Sequence, residues 1–246
     1  MTPSPTSPLG RWLRRVAGLL VVAASALAIG FGGVYAWQEH LLFHPEPLSP
    51  DFDFARVLPP GQAYETLRVP VPGATLSAIL LRQPNSRGLV FYLHGNSGNL
   101  ATWLSNAAFY REIGYDLFLL DYRGFGQSSG AIDGEAQLHA DVRAAWQRIA
   151  PAYAGRPVVV LGRSLGSGLA VRLARDISPA LLVLVTPYAS LSRVAAEHMP
   201  YVPTALLRYP LASDRIIREV RSPVLIFHGD QDAVIGIDHA RTLQAL

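Results

Sequence analysis

Gly162-Arg163-Ser164-Leu165-Gly166 follows three β-branched residues, Val158, Val159 and Val160, and runs into the small residues Ser167 and Gly168. A serine hydroxyl is a weak nucleophile at neutral pH unless a neighbouring base takes its proton. It becomes useful on a sharp strand-to-helix turn that lifts the hydroxyl clear of the backbone. Such a turn needs small residues two before and two after the serine, and Gly162 and Gly166 stand there. A helix opening at Leu165 leaves that residue's amide free to hold a developing oxyanion. A second amide is expected from the loop His94-Gly95-Asn96, at Asn96. The acid of such a site is expected at Asp232, a few residues after the apolar run Val224–Phe227, with Asp230 as the competing carboxylate.

The base is the difficulty. The expected order places a histidine after the acid, and His239 is the one histidine among the 14 residues that follow Asp232. A crossover helix, a strand and two loops put the base roughly 25 residues past the acid. His239 falls too early, at the start of the apparent helix "GIDHARTLQAL", where its ring is expected to face solvent. His40 and His44 follow the first apolar segment, His94 and His228 belong to His-Gly turns, and His139 lies in a helical stretch. His198 precedes the acid, which breaks the order. The sequence is therefore expected to be a fragment that stops before the last strand and its histidine, the alternative being a protein that has lost its base.

The elements that must carry these residues are legible. "GLVFYL" (88–93), "LFLL" (117–120), "VVVL" (158–161), "LLVLV" (181–185) and "VLIF" (224–227) are continuous apolar runs, as in parallel strands buried on both faces. "YETLRVPV" (64–71) and "LSAILL" (76–81) read as an antiparallel pair. Amphipathic stretches at 100–112, 135–149 and 165–175 separate the later runs. Strand alternating with helix predicts an α/β fold, a mostly parallel sheet with helices on both faces. In such sheets the site lies at the carboxyl ends of the strands, where the serine, the His-Gly loop and Asp232 all fall. Residues 187–215, rich in Pro and Tyr without a clear period, are expected to form a short cap.

Val16–Trp37 holds 22 residues without a charge, about 33 Å of helix against a hydrocarbon core of about 30 Å. Arg11, Arg14 and Arg15 precede it, so a single-pass membrane helix is expected with its N-terminus in the cytoplasm and the domain on the periplasmic or outer side. A cleaved signal peptide, with "ASALA" as the cleavage region, is the rival. The expected organisation is a disordered basic stretch at 1–15, the membrane helix at 16–37, a linker at 38–60 and the catalytic domain at 61–246. Without the three arginines, cations and anions balance at 18 each, which leaves no electrostatic case for nucleic acid. The chain has no Cys and no Lys, which excludes thiol nucleophiles, thiolate metal sites, Schiff-base lysines and Walker-type loops. "GFGQSSG" (124–130) departs from the dinucleotide fingerprint and opens no helix. No cofactor and no metal are expected.

"LHGNSGN", "DYRGFGQSSG", "GRSLGSG", "PYASL" and "PVLIFHGDQDAV" together resemble the α/β-hydrolases over about residues 36–246. The sequence is similar to the membrane-anchored Bem46-like serine hydrolases and to the serine aminopeptidase S33 domain. The resemblance implies that Ser164 is the nucleophile, Asp232 the acid of the triad, and Asn96 and Leu165 the oxyanion hole. It implies a structural part for Asp121 and Arg123. The function it implies is cleavage of an ester or related acyl bond in a small acyl or lipid-like substrate. The alternatives are an S33-like peptidase and a non-catalytic binding module on the same scaffold.

Overall fold

The computed structural model describes residues 8–246, apart from the side chain of Asn106. Chain order begins with α1 (Pro8–Ala36), α2 (Gln38–Leu42), β1 (His44–Pro45), β2 (Tyr64–Val71), β3 (Ala74–Leu81), β4 (Leu89–Leu93) and β5 (Ser97–Gly98). There follow α3 (Leu100–Trp103), α4 (Ala107–Glu112), β6 (Asp116–Leu120), α5 (Glu135–Ile149), β7 (Val158–Arg163), α6 (Leu165–Ile177) and β8 (Leu181–Val185). The chain closes with α7 (Leu191–His198), α8 (Ser213–Ile216), β9 (Val224–Phe227) and α9 (Ile237–Gln244).

Seven strands form one sheet in the order β2-β3-β6-β4-β7-β8-β9. β2 and β3 pair antiparallel, and β3 pairs antiparallel with β6. From β6 to β9 every pairing is parallel. The alternation of side chains along each strand explains the unbroken apolar runs. Leu89, Phe91 and Leu93 enter the core beneath α5 and α6, while Val90 and Tyr92 enter the core beneath α3 and α4. Phe91 stacks on Phe118 of the neighbouring strand at 4.8 Å. After β4 the chain moves to β6 on one side, then returns to β7 on the other. The loops leaving β4 and β7 thus run apart at the carboxyl edge and open a crevice where an α/β sheet holds its ligand.

Three segments differ from the sequence reading. The first helix starts at Pro8 rather than Val16, so residues 8–15, expected to be disordered, are helical. Extending a helix costs far less than nucleating one, Pro suits a first turn, and "LGRWLRR" contains good helix formers. Residues 1–7 lie outside the described residues. Residues 38–60, read as a linker, are stitched to the domain: β1 pairs with β5, Pro47 bridges Gly126, and Phe43, Phe54 and Leu58 are buried. Their apolar side chains gain more by packing than a free tether would. The cap region, read as lacking a period, contains the helix α7, opened by Ser190 capping the Arg193 amide.

α1 is 29 residues long and buries none of them, and it is long and apolar enough to cross a membrane.

Candidate active site

Ser164 sits between the end of β7 and the start of α6 with φ 50° and ψ −118°, a conformation that non-glycine residues occupy only when their surroundings hold them there. Its amide donates to Val185 O at 3.0 Å, and its carbonyl accepts from Ser167 N at 2.9 Å and Ser167 Oγ at 2.7 Å. The flanking glycines are required by contact. A Cβ on Gly162 would lie 2.5 Å from Gly166 O and Ala170 Cβ, and one on Gly166 would collide with the Leu93 carbonyl. Strand, turn and helix therefore pack too closely for any side chain there. Ser164 is partly exposed, and its Oγ has no hydrogen-bond partner among the described residues.

The loop after β4 lies against this turn. A Cβ on Gly95 would be 3.7 Å from Ser164 Cβ and 3.1 Å from the Trp103 ring. Asn96 is held from two directions: its Nδ2 donates to Leu42 O at 3.0 Å, and its carbonyl accepts from His44 N at 2.7 Å. The Asn96 amide has no acceptor among the described residues, and the Leu165 amide, first in α6, has no helical one. The structure thus sets the Gly95-Asn96 loop against the Ser164-Leu165 turn. Two unengaged N–H groups beside an unengaged hydroxyl can stabilise an oxyanion formed by attack at Ser164.

Asp232 lies on the loop after β9. Its Oδ1 accepts from the amides of Val234 and Ile235, each at 2.9 Å. The Ile235 amide above all, with the Val234 amide, holds the carboxyl below the usual aspartate range against a modest opposing burial. Oδ2 is 3.7 Å from His228 Nε2, which is itself bonded to Ile235 O at 2.6 Å. One carboxylate oxygen is therefore fixed by backbone and the other left for a further donor. That is how an acid orients an imidazole.

Five of the histidines are otherwise engaged. His239, expected to face solvent, is buried: Nδ1 accepts from Ala189 N at 3.1 Å and Nε2 bonds Glu197 Oε2 at 2.9 Å. Its helix turns inward because Ala240 and Leu243 on the same face seek the core. His94 is buried between Trp103 and Tyr122, with Nδ1 on Gly95 O at 2.7 Å and Nε2 3.5 Å from Asp121. Burial raises the Asp121 pKa, and His94 opposes the rise. His198 Nε2 bonds Val234 O at 2.8 Å, and His139 faces Glu135. No histidine among the described residues contacts Ser164 Oγ.

Arg123 makes a buried two-pronged pair with Asp141, at 2.6 and 2.9 Å, and donates to Pro72 O. No group of His, Asp and Glu among the described residues is arranged to hold a metal. Sequence reasoning missed Gln38 and Leu42, which tether Asn96 and the cap. They lie more than fifty positions from their partners, and nothing local marks them.

Comparison with known proteins agrees with the fold. A family model described as "Serine aminopeptidase, S33" matches residues 84–212. An uncharacterized protein of Mycobacterium tuberculosis is 32% identical over 234 residues, covering 91% of this chain and 80% of its own length. Human alpha/beta hydrolase domain-containing protein 17B is 33% identical over 178 residues, covering 70% of this chain and 59% of its own length. Among solved structures, a Pyrococcus furiosus esterase superposes with a TM-score of 0.65 at 17% identity, covering 83% of each chain. A Xanthomonas campestris a/b serine hydrolase without lid superposes with a TM-score of 0.54 at 20% identity, covering 77% of this chain and 81% of that one. On the family match over residues 84–212, which hold β4 to β8, this chain belongs to the serine aminopeptidase S33 family of α/β-fold hydrolases.

Proposed function

We propose that the protein is a membrane-anchored serine hydrolase that cleaves an ester or related acyl bond, with Ser164 as nucleophile. The observation that carries this reading is the constrained turn: Ser164 is held at φ 50° with a free hydroxyl, beside a loop whose Asn96 amide is also free. Ser164 Oγ attacks the acyl carbonyl while the Asn96 and Leu165 amides receive the oxyanion. Asp232 orients the imidazole that takes the serine proton and returns it to the leaving group. None of the seven histidines meets both Ser164 and Asp232, so the reading assigns that imidazole to a position outside residues 8–246. α1 holds the domain at the membrane, on the periplasmic or outer face. The substrate is a small acyl or lipid-like molecule, and no cofactor, metal or nucleic acid takes part.

A fluorophosphonate probe applied to the complete gene product tests the nucleophile. A covalent adduct on Ser164, absent in Ser164→Ala, is the expected result. An intact serine under conditions that label a control esterase would leave a non-catalytic binding module. The family match also favours an S33-like peptidase. Comparing nitrophenyl acyl esters with aminoacyl anilides separates the two, and faster anilide turnover would overturn the ester assignment.

A further inference from the structure

α1 does not leave the domain cleanly at its last turn. Val34 of α1 and Leu41 and Leu42 of α2 face the cap, and an apolar cavity of about 120 Å³ lies between them. Its far wall is built by Val194, Met199 and Leu206. Gln38 also borders it, but the Gln38 amide is committed to Leu206 O at 2.7 Å and Arg208 N at 2.9 Å. Water entering such a space finds few partners, and an apolar cavity of about 150 Å³ is known to stay dry and take up a small hydrocarbon.

The cavity touches the two sides of the crevice. Leu42, in its wall, carries the carbonyl that holds Asn96 Nδ2 at 3.0 Å. His198, also in its lining, bonds Val234 O, and the Val234 amide is bound by Asp232. In the other direction Val34 and Leu41 are shared with a shallow depression along α1, formed with Ile29, Gly30, Gly33 and Trp37. A Cβ on Gly30 or Gly33 would meet nothing within 4 Å, so the depression opens outward, onto whatever surrounds α1.

We propose that this cavity holds the end of a hydrocarbon chain that enters from the bilayer along the depression on α1. The proposal deepens the hydrolase reading and rests on α1 spanning a membrane: the chain is the acyl tail of the substrate, lodged beside Asn96 and the Asp232 loop. The occupant is recognised by shape and apolarity, because the wall is mostly aliphatic and its Gln38 amide is already bonded.

The test uses the full chain in phosphatidylcholine vesicles with a long-chain fatty acid carrying a diazirine at its end. Irradiation and peptide mapping are expected to place label on α7 or on residues 199–207. Filling the cavity with Ala195→Trp, or with Val194→Phe as a milder variant, should raise the probe concentration for half-maximal labelling about a hundredfold, the worth of roughly three to four buried methylenes. Thermal unfolding near the wild-type temperature shows that a variant is folded. Label confined to α1 in the wild type, or undiminished in a folded cavity-filled variant, would overturn the proposal. Ser164→Ala should be labelled like the wild type. Label on α7 in a complete gene product whose Ser164 takes no fluorophosphonate adduct would therefore sink the hydrolase reading and leave the cavity as a lipid site.

Discussion

Ser164 and Asp232 have separate structural tasks, and each is measurable. Ser164→Ala is expected to abolish fluorophosphonate labelling and lower turnover by roughly 10⁶ in the complete gene product. Folding should not change, since its backbone bonds do not involve the hydroxyl. Gly166→Ala should instead fail in folding, at a cost of about 1–3 kcal/mol or more, because its Cβ would meet the Leu93 carbonyl. For Asp232, the backbone amides hold the folded carboxyl below its unfolded value. A depressed carboxylate contributes stability that is present above the unfolded value, about 3.9, and is lost as pH falls through the lower folded value. Asp232→Asn should therefore flatten the acid limb of the stability curve in urea titrations between about pH 5 and pH 2. An unchanged limb would mean that the carboxylate is not held as described.

Between elements, the most consequential ties are those of α2. Gln38 is 2% exposed and joins the start of α2 to the cap at Leu206 and Arg208, while the Leu42 carbonyl at its end holds Asn96. Gln38→Ala is expected to destabilise the domain by about 1 kcal/mol, since it leaves a partly buried donor, Arg208 N, and acceptor, Leu206 O, unpaired. Arg123→Ala should cost more, about 3–5 kcal/mol, because Asp141 would remain as a buried, unpaired carboxylate. Equal unfolding midpoints for wild type and Arg123→Ala in urea would contradict that account. α7 is fastened to α9 through Glu197. Burial raises the Glu197 carboxyl, but bonds to His239 and Arg193 outweigh it and leave the group below its usual value. This contact loosens as pH falls through that value, in the same direction as Asp232.

Across the described residues, the protein combines an unburied apolar helix with a sheet in which β9 stands at one edge. Val224, Leu225 and Phe227 on β9 are 38%, 45% and 53% exposed. An apolar edge strand is a template for pairing with another molecule. Leu225→Lys is expected to reduce light scattering by residues 38–246 on warming while leaving the unfolding temperature unchanged. Equal scattering would place the cause elsewhere. The proposed topology follows from Arg11, Arg14 and Arg15 before the apolar segment and no further arginine until Arg56. A phosphatase fused after Leu246 should be active and a cytoplasmic fluorophore dark; the reverse would refute the orientation.

Much of this was legible in the linear text. Continuous apolar runs of four to six residues mark strands covered on both faces, and β4, β6, β7, β8 and β9 lie within a residue or two of those runs. Gly162 and Gly166 announce the turn at Ser164 because close packing forbids any side chain there, a local constraint that leaves a local mark. The backbone clasp on Asp232 is likewise local, made within three residues. Long-range geometry leaves no such mark. The burial of His239 depends on Ala189 and Glu197, which lie 50 and 42 positions away. The docking of residues 38–60, and the cavity where α1 meets α7, depend on segments brought together by a sheet whose strand order is not their chain order. Periodicity and turn chemistry reach only a few residues along the chain, whereas these contacts were chosen by the folded packing of distant surfaces.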